Sequence, residues 1–409
     1  MPHRPRVVVI AVLSALAAAA APATAQPQPT APTLEGRALL PADATAPAPF
    51  PGVVNTDPKP TPGATQPVGG FSALIKAGSD GVYWAMPDNG FGAKANSRSF
   101  LLRVYKVRPN FRTASQGSGT VDVLGRITLR DPDKKLGFPI GTEGTRERLL
   151  TGGDLDIESF RQVEDGTLWF GEEFGPFLVH TDRRGKVLEA PIPTPGVISP
   201  SSPRLAPGQT ANLANSTGFE GMALSANGRK LHPVLEGAVA GDDPRLRRLY
   251  TFDLRTRRFE PGFRSYFVDD PTFLVSDFTL LEGRRFVALE RDNFQGTAAK
   301  HKKGYVVKLG PHDGNPVRKR QVLDALSIAD PAGISLFGAR PGDIGLGNPF
   351  SMPYQTIEAV LPIHDDRLVI VNDTNFGSTG RNPSRPDDSD FIDVRVPGLD
   401  DDLSGYGDE

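Results

Sequence analysis

The sequence predicts an all-β fold: a β-propeller of four-stranded antiparallel blades, six in number. Three observations predict it. First, a three-part phrase recurs: a polar residue leading an apolar run, a turn, and a second apolar run that ends in acids. Second, the turns are Asp-Gly, Asn-Gly or close variants between runs rich in Val, Leu, Phe and Trp. Glycine and asparagine tolerate positive φ, and such runs suit a pleated, buried surface, so each phrase reads as a hairpin. Third, 44 Gly and 39 Pro in 409 residues suit a turn-rich protein and stay below the level that argues disorder. A β-helix needs a shorter period, and a β-sandwich would not repeat the same phrase.

The chain opens with a secretory signal at residues 1–25. Arg4 and Arg6 supply its charge, Val7–Ala21 its apolar core, and Ala23-Thr24-Ala25 its cleavage site. That core is short for a membrane span, so the mature protein is expected to be exported, secreted or periplasmic, with no membrane insertion. Residues 26–67 form a flexible, Pro-rich lead. Within it, Leu34–Leu40 reads as a strand that closes the ring against the last blade. The propeller occupies residues 68–399, and 400–409 form a solvated acidic tail.

The five phrases start at Ser72, Glu158, Glu220, Asp277 and Glu358. Their turns are Asp80-Gly81, Asp165-Gly166, Asn227-Gly228, Glu282-Gly283 and Asp365-Asp366. Their second runs deliver Asp88-Asn89, Glu172-Glu173, Glu236, Glu290 with Asp292, and Asp373. Third runs follow at Phe100–Val107, Phe177–His180, Arg248–Asp253 and Tyr305–Leu309, and fourth runs near Val187–Ile192 and Val322–Leu326. The sixth blade is expected from Val121–Leu129 and the termini. His232-Pro233 predicts an edge or a bulge in the third hairpin, because proline cannot donate to a ladder. Arg130–Thr151 and Gly196–Thr217 read as long loops.

In an antiparallel hairpin the residue entering the first strand and the residue leaving the second share one end, with strands about 4.8 Å apart. Inner hairpins around one axis would therefore gather Asp88, Asn89, Glu158, Glu172, Glu173, Glu220, Glu236, Asp277, Glu290, Asp292, Glu358 and Asp373 at one rim. Two like charges about 4 Å apart repel by roughly 4 kcal/mol at an effective dielectric near 20. Carboxylate and amide oxygens without thiolates suit a hard cation, and Ca²⁺ is the expected one. For any single acid, capping a hairpin or pairing with an arginine is the simpler role; the repetition favours the metal. Pro87-Asp88-Asn89-Gly90-Phe91-Gly92 and Asn372-Asp373-Thr374-Asn375-Phe376-Gly377 match each other, and read either as turns with an aromatic plug or as loops presenting oxygen ligands. Lys94, Arg291 and Lys300 follow the acids and are the candidates for binding an anionic substrate such as a phosphate.

Several chemistries are excluded. No cysteine means no disulfide, thiolate catalysis or Cys-based zinc site. There is no Gly-x-Ser-x-Gly elbow, His-Glu-x-x-His pair or P-loop. A formal charge of −2 gives no reason to propose nucleic acid.

GDLDIESFRQVEDGTLWFGEEFGPFLVHTDRRGKVL, GFEGMALSANGRKL, VALERDN, VIVNDTNFG and PDNGFGAKANS together resemble the bacterial secreted family described as "esterase-like activity of phytase". The resemblance runs from about Gly69 to Gly377 and implies a phytase-like β-propeller and phosphoester hydrolysis. The chain departs from the acidic pattern at Ser72. The expectation is a monomeric, exported, calcium-dependent hydrolase of small phosphate esters. The alternative is a non-catalytic propeller that binds a sugar, peptide or protein partner, with structural calcium.

Overall fold

A computed structural model describes residues 30–48, 65–310, 316–364 and 366–401, with Met1 and Leu403. Nearly all of the signal segment, Asp365, much of the Pro-rich lead and most of the acidic tail lie outside the described residues. The described residues contain β-strands and two short 3₁₀ turns.

The strands form a β-propeller. Blade 1 is built from Phe71–Lys76, Tyr83–Pro87, Arg103–Asn110 and Thr120–Thr128, in that order from the axis outward. Blade 2 uses Ile157–Gln162, Leu168–Glu172, Phe177–Thr181 and Ile192–Pro193. Blade 3 begins with Gly221–Leu224 and Lys230–Val234; its third strand is split into Leu246–Leu249 and Phe252–Asp253. Blade 4 uses Leu274–Glu282, Arg285–Arg291, Lys302–Lys308 and Arg318–Asp324. Blade 5 uses Thr356–His364, Arg367–Asp373 and Ser389–Arg395, and its outer strand is Thr33–Leu40 from the start of the chain.

The five inner strands touch in cyclic order, and the last touches the first. Five apolar clusters fill the five gaps between neighbouring blades. The ring therefore has five blades among the described residues, not the six expected. The sixth was to use Val121–Leu129, but Thr120–Thr128 pairs with Arg103–Asn110 as the outer strand of blade 1. The five phrases already account for every inner hairpin.

Ring closure by the N-terminal strand follows the sequence expectation. Thr33–Leu40 pairs antiparallel with Ser389–Arg395, from Thr33 opposite Arg395 to Leu40 opposite Ser389. Arg37 pins it: its guanidinium donates to both oxygens of buried Asp390 (2.8–3.1 Å) and to the Ser335 carbonyl (2.8 Å). Tyr354 and Arg381 also donate to Asp390.

Proline 233 does not make its strand an edge. Lys230–Val234 is paired on both sides, with Met222 opposite Pro233. The cost falls on the neighbour instead. The third strand of blade 3 breaks at Tyr250-Thr251, between the Leu231–Phe252 and Val234–Leu249 pairs, where the ladder next to His232-Pro233 is incomplete.

Replacing Arg37 with Met should leave Asp390 short of its main counter-charge in a buried site. Breaking a buried pair on one side typically costs about 3–5 kcal/mol. Denaturant unfolding of the Arg37→Met protein should show a loss of that order, and a loss well under about 1 kcal/mol would mean the strap does not depend on this pair.

An acidic cavity at the propeller axis

The inner hairpins carry a repeated irregularity. In blades 1, 2, 4 and 5 the register of the first two strands shifts between Phe71 and Ala73, Ile157 and Ser159, Val275 and Asp277, and Ile357 and Ala359. The unpaired residue on each bulge is Ser72, Glu158, Ser276 or Glu358. A bulge inserts one residue and re-aims the side chains beside it. In blade 3 the ladder starts at Gly221, one residue after Glu220. One residue beyond the matching position on the second strand lie Asp88, Glu173, Glu236, Arg291 and Asp373. The inner hairpins thus bring two equivalent positions per blade to the same end. The first holds Ser, Glu, Glu, Ser, Glu; the second holds Asp, Glu, Glu, Arg, Asp.

All of these residues except Ser72 and Ser276 line a cavity of ≈ 270 Å³ at the axis, where Asp88, Glu158, Glu173, Glu220, Glu236, Glu358, Asp373 and Arg291 are joined by Asp156. All eight acids are buried. Three groups have ligand oxygens within 4.8 Å of one another: Asp88, Asp156 and Glu158; Glu158, Glu220 and Glu358; Glu173, Glu220 and Glu236. Each could hold a metal ion, and Glu158 and Glu220 are each shared by two groups. Asp156 Oδ1 is buried and has no hydrogen-bond partner.

Among the described residues, Arg291 is the one basic residue lining the cavity. Its Nη2 donates to Glu236 at 2.7 Å and to Glu358 at 3.1 Å, with Glu220 at 3.6 Å, and its Nη1 donates to Asn293. Burial alone would lower its pKa, but Glu236, Glu358 and Glu220 hold it above the ordinary arginine value. Burial is also the first cause acting on the acids. It pushes Asp156 up to about 6, restrained by Glu158 and Asn89, and Asp373 up to about 7, helped by Glu358. Asp88, Glu158, Glu173 and Glu220 are raised well above the usual range, first by burial and then by neighbouring carboxylates. Glu236 and Glu358 are raised too, with Arg291 opposing.

Four of the expected rim acids lie elsewhere. Glu172 and Glu290 sit one residue short of the axial position, opposite Ile157 and Val275, so the pleat turns them away. Glu172 accepts from the Phe174 and Gly175 amides, and burial pushes it up to about 8. Glu290 accepts from Tyr266 (2.6 Å) and Lys319 (2.7 Å). Asp277 sits one residue past its bulge and accepts from the Val360 and Phe278 amides, with Arg161 at 3.6 Å. Asp292 is held by Lys302 at 2.8 Å and by the Lys300 and His301 amides. Asp156 was missed; the signal was Asp-Ile-Glu, two acids at a spacing of two, which places both side chains on one face of an extended segment.

The proposed basic groups do not converge. Lys94 donates to the Ser201 carbonyl (3.0 Å) and lies over the Phe174 ring, and Lys300 is exposed; neither lines the cavity. The two matched loops carry an aromatic plug and also reach the cavity. Asp88, Asn89, Asp373 and Asn375 line the cavity, while Phe91, Phe100 and Phe376 pack with centroids 5.5–5.9 Å apart. The loop 196–217 adds Ser216 to the lining. The glycines beside Glu220 serve close backbone approach. A Cβ on Gly218 would meet the Glu173 backbone at 2.5 Å, and one on Gly221 the Phe278 nitrogen at 2.6 Å.

A family model described as "Esterase-like activity of phytase" matches residues 66–376. An "Uncharacterized secreted protein" of Arthroderma benhamiae is 24% identical over 315 residues, covering 57% of this chain and 61% of the relative, so the chain spans less than two thirds of that relative's length. Among solved structures, a protein of unknown function from Dyadobacter fermentans matches with TM-score 0.38 and 12% identity, covering 90% of this chain and 100% of that one. A luciferin-regenerating enzyme gives 0.37 and 13%, covering 82% and 81%. The PQQ-bound aldose sugar dehydrogenase of Streptomyces coelicolor gives 0.33 and 14%, covering 90% and 100%. Scores this low leave the fold to the strand pairing described above. No helix among the described residues is long and apolar enough to cross a membrane.

The raised carboxyl values make a pH prediction for the protein in excess chelator. Asp156, Asp373 and Glu172 hold their protons more tightly folded than unfolded. Their contribution is complete below the unfolded values near 4 and is lost as pH rises through about 6, 7 and 8. The melting temperature should therefore fall from pH 5 to pH 8 (about three units of titration). A flat or rising curve in that window would contradict this account of the cavity.

Proposed function

The chain belongs to the phytase-like family, described as esterase-like activity of phytase, and from that premise we propose that it is an exported, calcium-dependent hydrolase of phosphate esters. The observation that carries the cation is the buried, unpartnered Asp156 Oδ1 in a cavity of eight acids and one arginine. An all-oxygen donor set without thiolate favours Ca²⁺ over a softer metal. Asp88, Asp156 and Glu158 are the residues best placed to hold it, because Arg291 already serves Glu236, Glu358 and Glu220. Shared Glu158 and Glu220 would allow neighbouring cations. When bound, calcium supplies polarisation of a phosphoryl oxygen and a more acidic water.

The chain's own residues set the remaining terms. A cavity with this excess of carboxylates repels a phosphate, so anion binding here depends on cation loading. Arg291, fixed by three carboxylates, orients the Glu236–Glu220–Glu358 side and limits its charge. Asn89, Asn293 and Asn375 supply neutral polar lining. The signal segment and the secreted relative support export.

A second reading has one specific observation behind it: neither Lys94 nor Lys300 lines the cavity, and Arg291 is engaged by acids. That arrangement favours a non-catalytic propeller with structural calcium, binding a sugar, peptide or protein partner.

Calcium should raise the melting temperature and support hydrolysis of phytate or an aryl phosphate, and chelator should abolish turnover. Glu158→Gln keeps the shape and removes a ligand of the Asp88–Asp156–Glu158 group that a second group shares. Its calcium affinity should fall by about tenfold or more, and the calcium-induced shift should shrink accordingly. Turnover that survives excess chelator defeats the calcium-dependent hydrolase, and calcium stabilisation without turnover on any phosphate ester selects the second reading.

A further inference from the structure

At the opposite end of the blades from the acids, a cavity of ≈ 530 Å³ opens between blades 2 and 3. The inner strand Ile157–Gln162 runs from Glu158 at the axial cavity down to the Asp165-Gly166 turn, which lines this one. Its walls are Val163, Leu254 and Trp169, its basic residues are Arg229, Arg255 and Arg257, and its acids are Glu164 and Asp165.

The polar groups at its base already have neighbours. Trp169 stacks on His180 with centroids 4.1 Å apart and an angle of 10°. Burial lowers the His180 pKa, so the ring is neutral near pH 7. Its Nδ1 lies 2.8 Å from Glu189 Oε1 and its Nε2 2.9 Å from Thr167 Oγ1. A carboxylate can only accept, so Nδ1 carries the proton and Nε2 is left to accept. Glu189 also pairs with Arg257 at 3.2 Å, and Asp165 accepts from the Thr167 amide; the one hydroxyl proton of Thr167 lies between Asp165 Oδ1 at 2.7 Å and His180 Nε2 at 2.9 Å. Glu189 is thus engaged by Arg257, and the exposed Glu164 and Asp165 of the turn offset part of the arginine charge. Arg229 and Arg255 make no ion pair among the described residues, and both are exposed at the mouth.

We propose that this cavity is a second ligand site, separate from the axial one, for a small organic anion: a carboxylate or phosphate on a flat apolar body. The guanidinium forks of Arg229 and Arg255 match the planar or tetrahedral oxygens of such a group. The half-buried Val163 and Leu254 cover the apolar body, with the buried Trp169 beneath them. The volume falls within the range of small-molecule pockets, about 300–1,000 Å³. The corresponding gap between blades 3 and 4 is smaller, ≈ 360 Å³, and of its lining aromatics none is a tryptophan.

The test uses phenylphosphonate, which has the anion and the ring but no ester to hydrolyse. It is titrated into the full protein in excess chelator, so that no cation at the axial end contributes. Binding is followed by calorimetry and by fluorescence, since the chain has two tryptophans, Trp84 in blade 1 and Trp169 here. The expected result is saturable binding with a change in Trp169 emission. The double variant Arg229→Ala/Arg255→Ala should bind at least about tenfold more weakly, with an unaltered melting temperature. Benzoate binding under the same conditions identifies a carboxylate site, and phenylphosphonate binding without benzoate binding a phosphate site. Inorganic phosphate should bind more weakly than phenylphosphonate because it leaves the apolar walls uncovered. No saturable binding of either aryl anion at millimolar concentration, or equal affinity in the double variant, overturns the proposal.

Discussion

The bulge in the inner hairpins determines which side chains meet at the axis. A strand alternates its side chains with a period of two, so an extra residue moves everything beyond it to the other face. Placing the bulge at Glu158 and Glu358 turns those carboxylates into the cavity. It leaves Ser159, Ser276 and Asp277 able to stitch blades together. Ser159 donates to the Phe219 carbonyl, Ser276 to the Ile357 carbonyl, and Asp277 accepts from the Val360 amide. The same local irregularity therefore supplies both the acids of the cavity and the polar bonds between neighbouring inner strands.

Those acids set the electrostatics of the whole centre. Eight buried carboxylates cannot all ionise beside one another without opposing charge. Blade 4 supplies part of it by placing Arg291 where the other blades place an acid. The guanidinium sits on the Glu236–Glu220–Glu358 side, so the Asp88–Asp156–Glu158 side must be met by protons or by a cation. Beneath the cavity, Arg161 reaches from blade 2 past blade 3 to the Phe278 carbonyl of blade 4. The acidic end is thus backed by a buried cation whose own partner, Asp277, is turned away from the cavity.

Sequence alone revealed the hairpins, the propeller class and the closing strand, because each depends on local chemistry: turn residues that tolerate positive φ, apolar runs of strand length, and an unpaired run near the N-terminus. It also singled out seven of the eight cavity acids, since Asp88, Glu158, Glu173, Glu220, Glu236, Glu358 and Asp373 flank the runs. Blade number and exact facing were not legible in this way. Whether Val121–Leu129 starts a new blade or finishes an old one depends on which strand it pairs with, and that pairing is long-range. Whether Glu172 or Glu173, and Glu290 or Arg291, faces the axis depends on a one-residue register shift that leaves no mark in composition. Only the assembled ring decided that Arg291 would be spent on three carboxylates from two other blades, because those partners lie 55, 67 and more than 70 positions away along the chain.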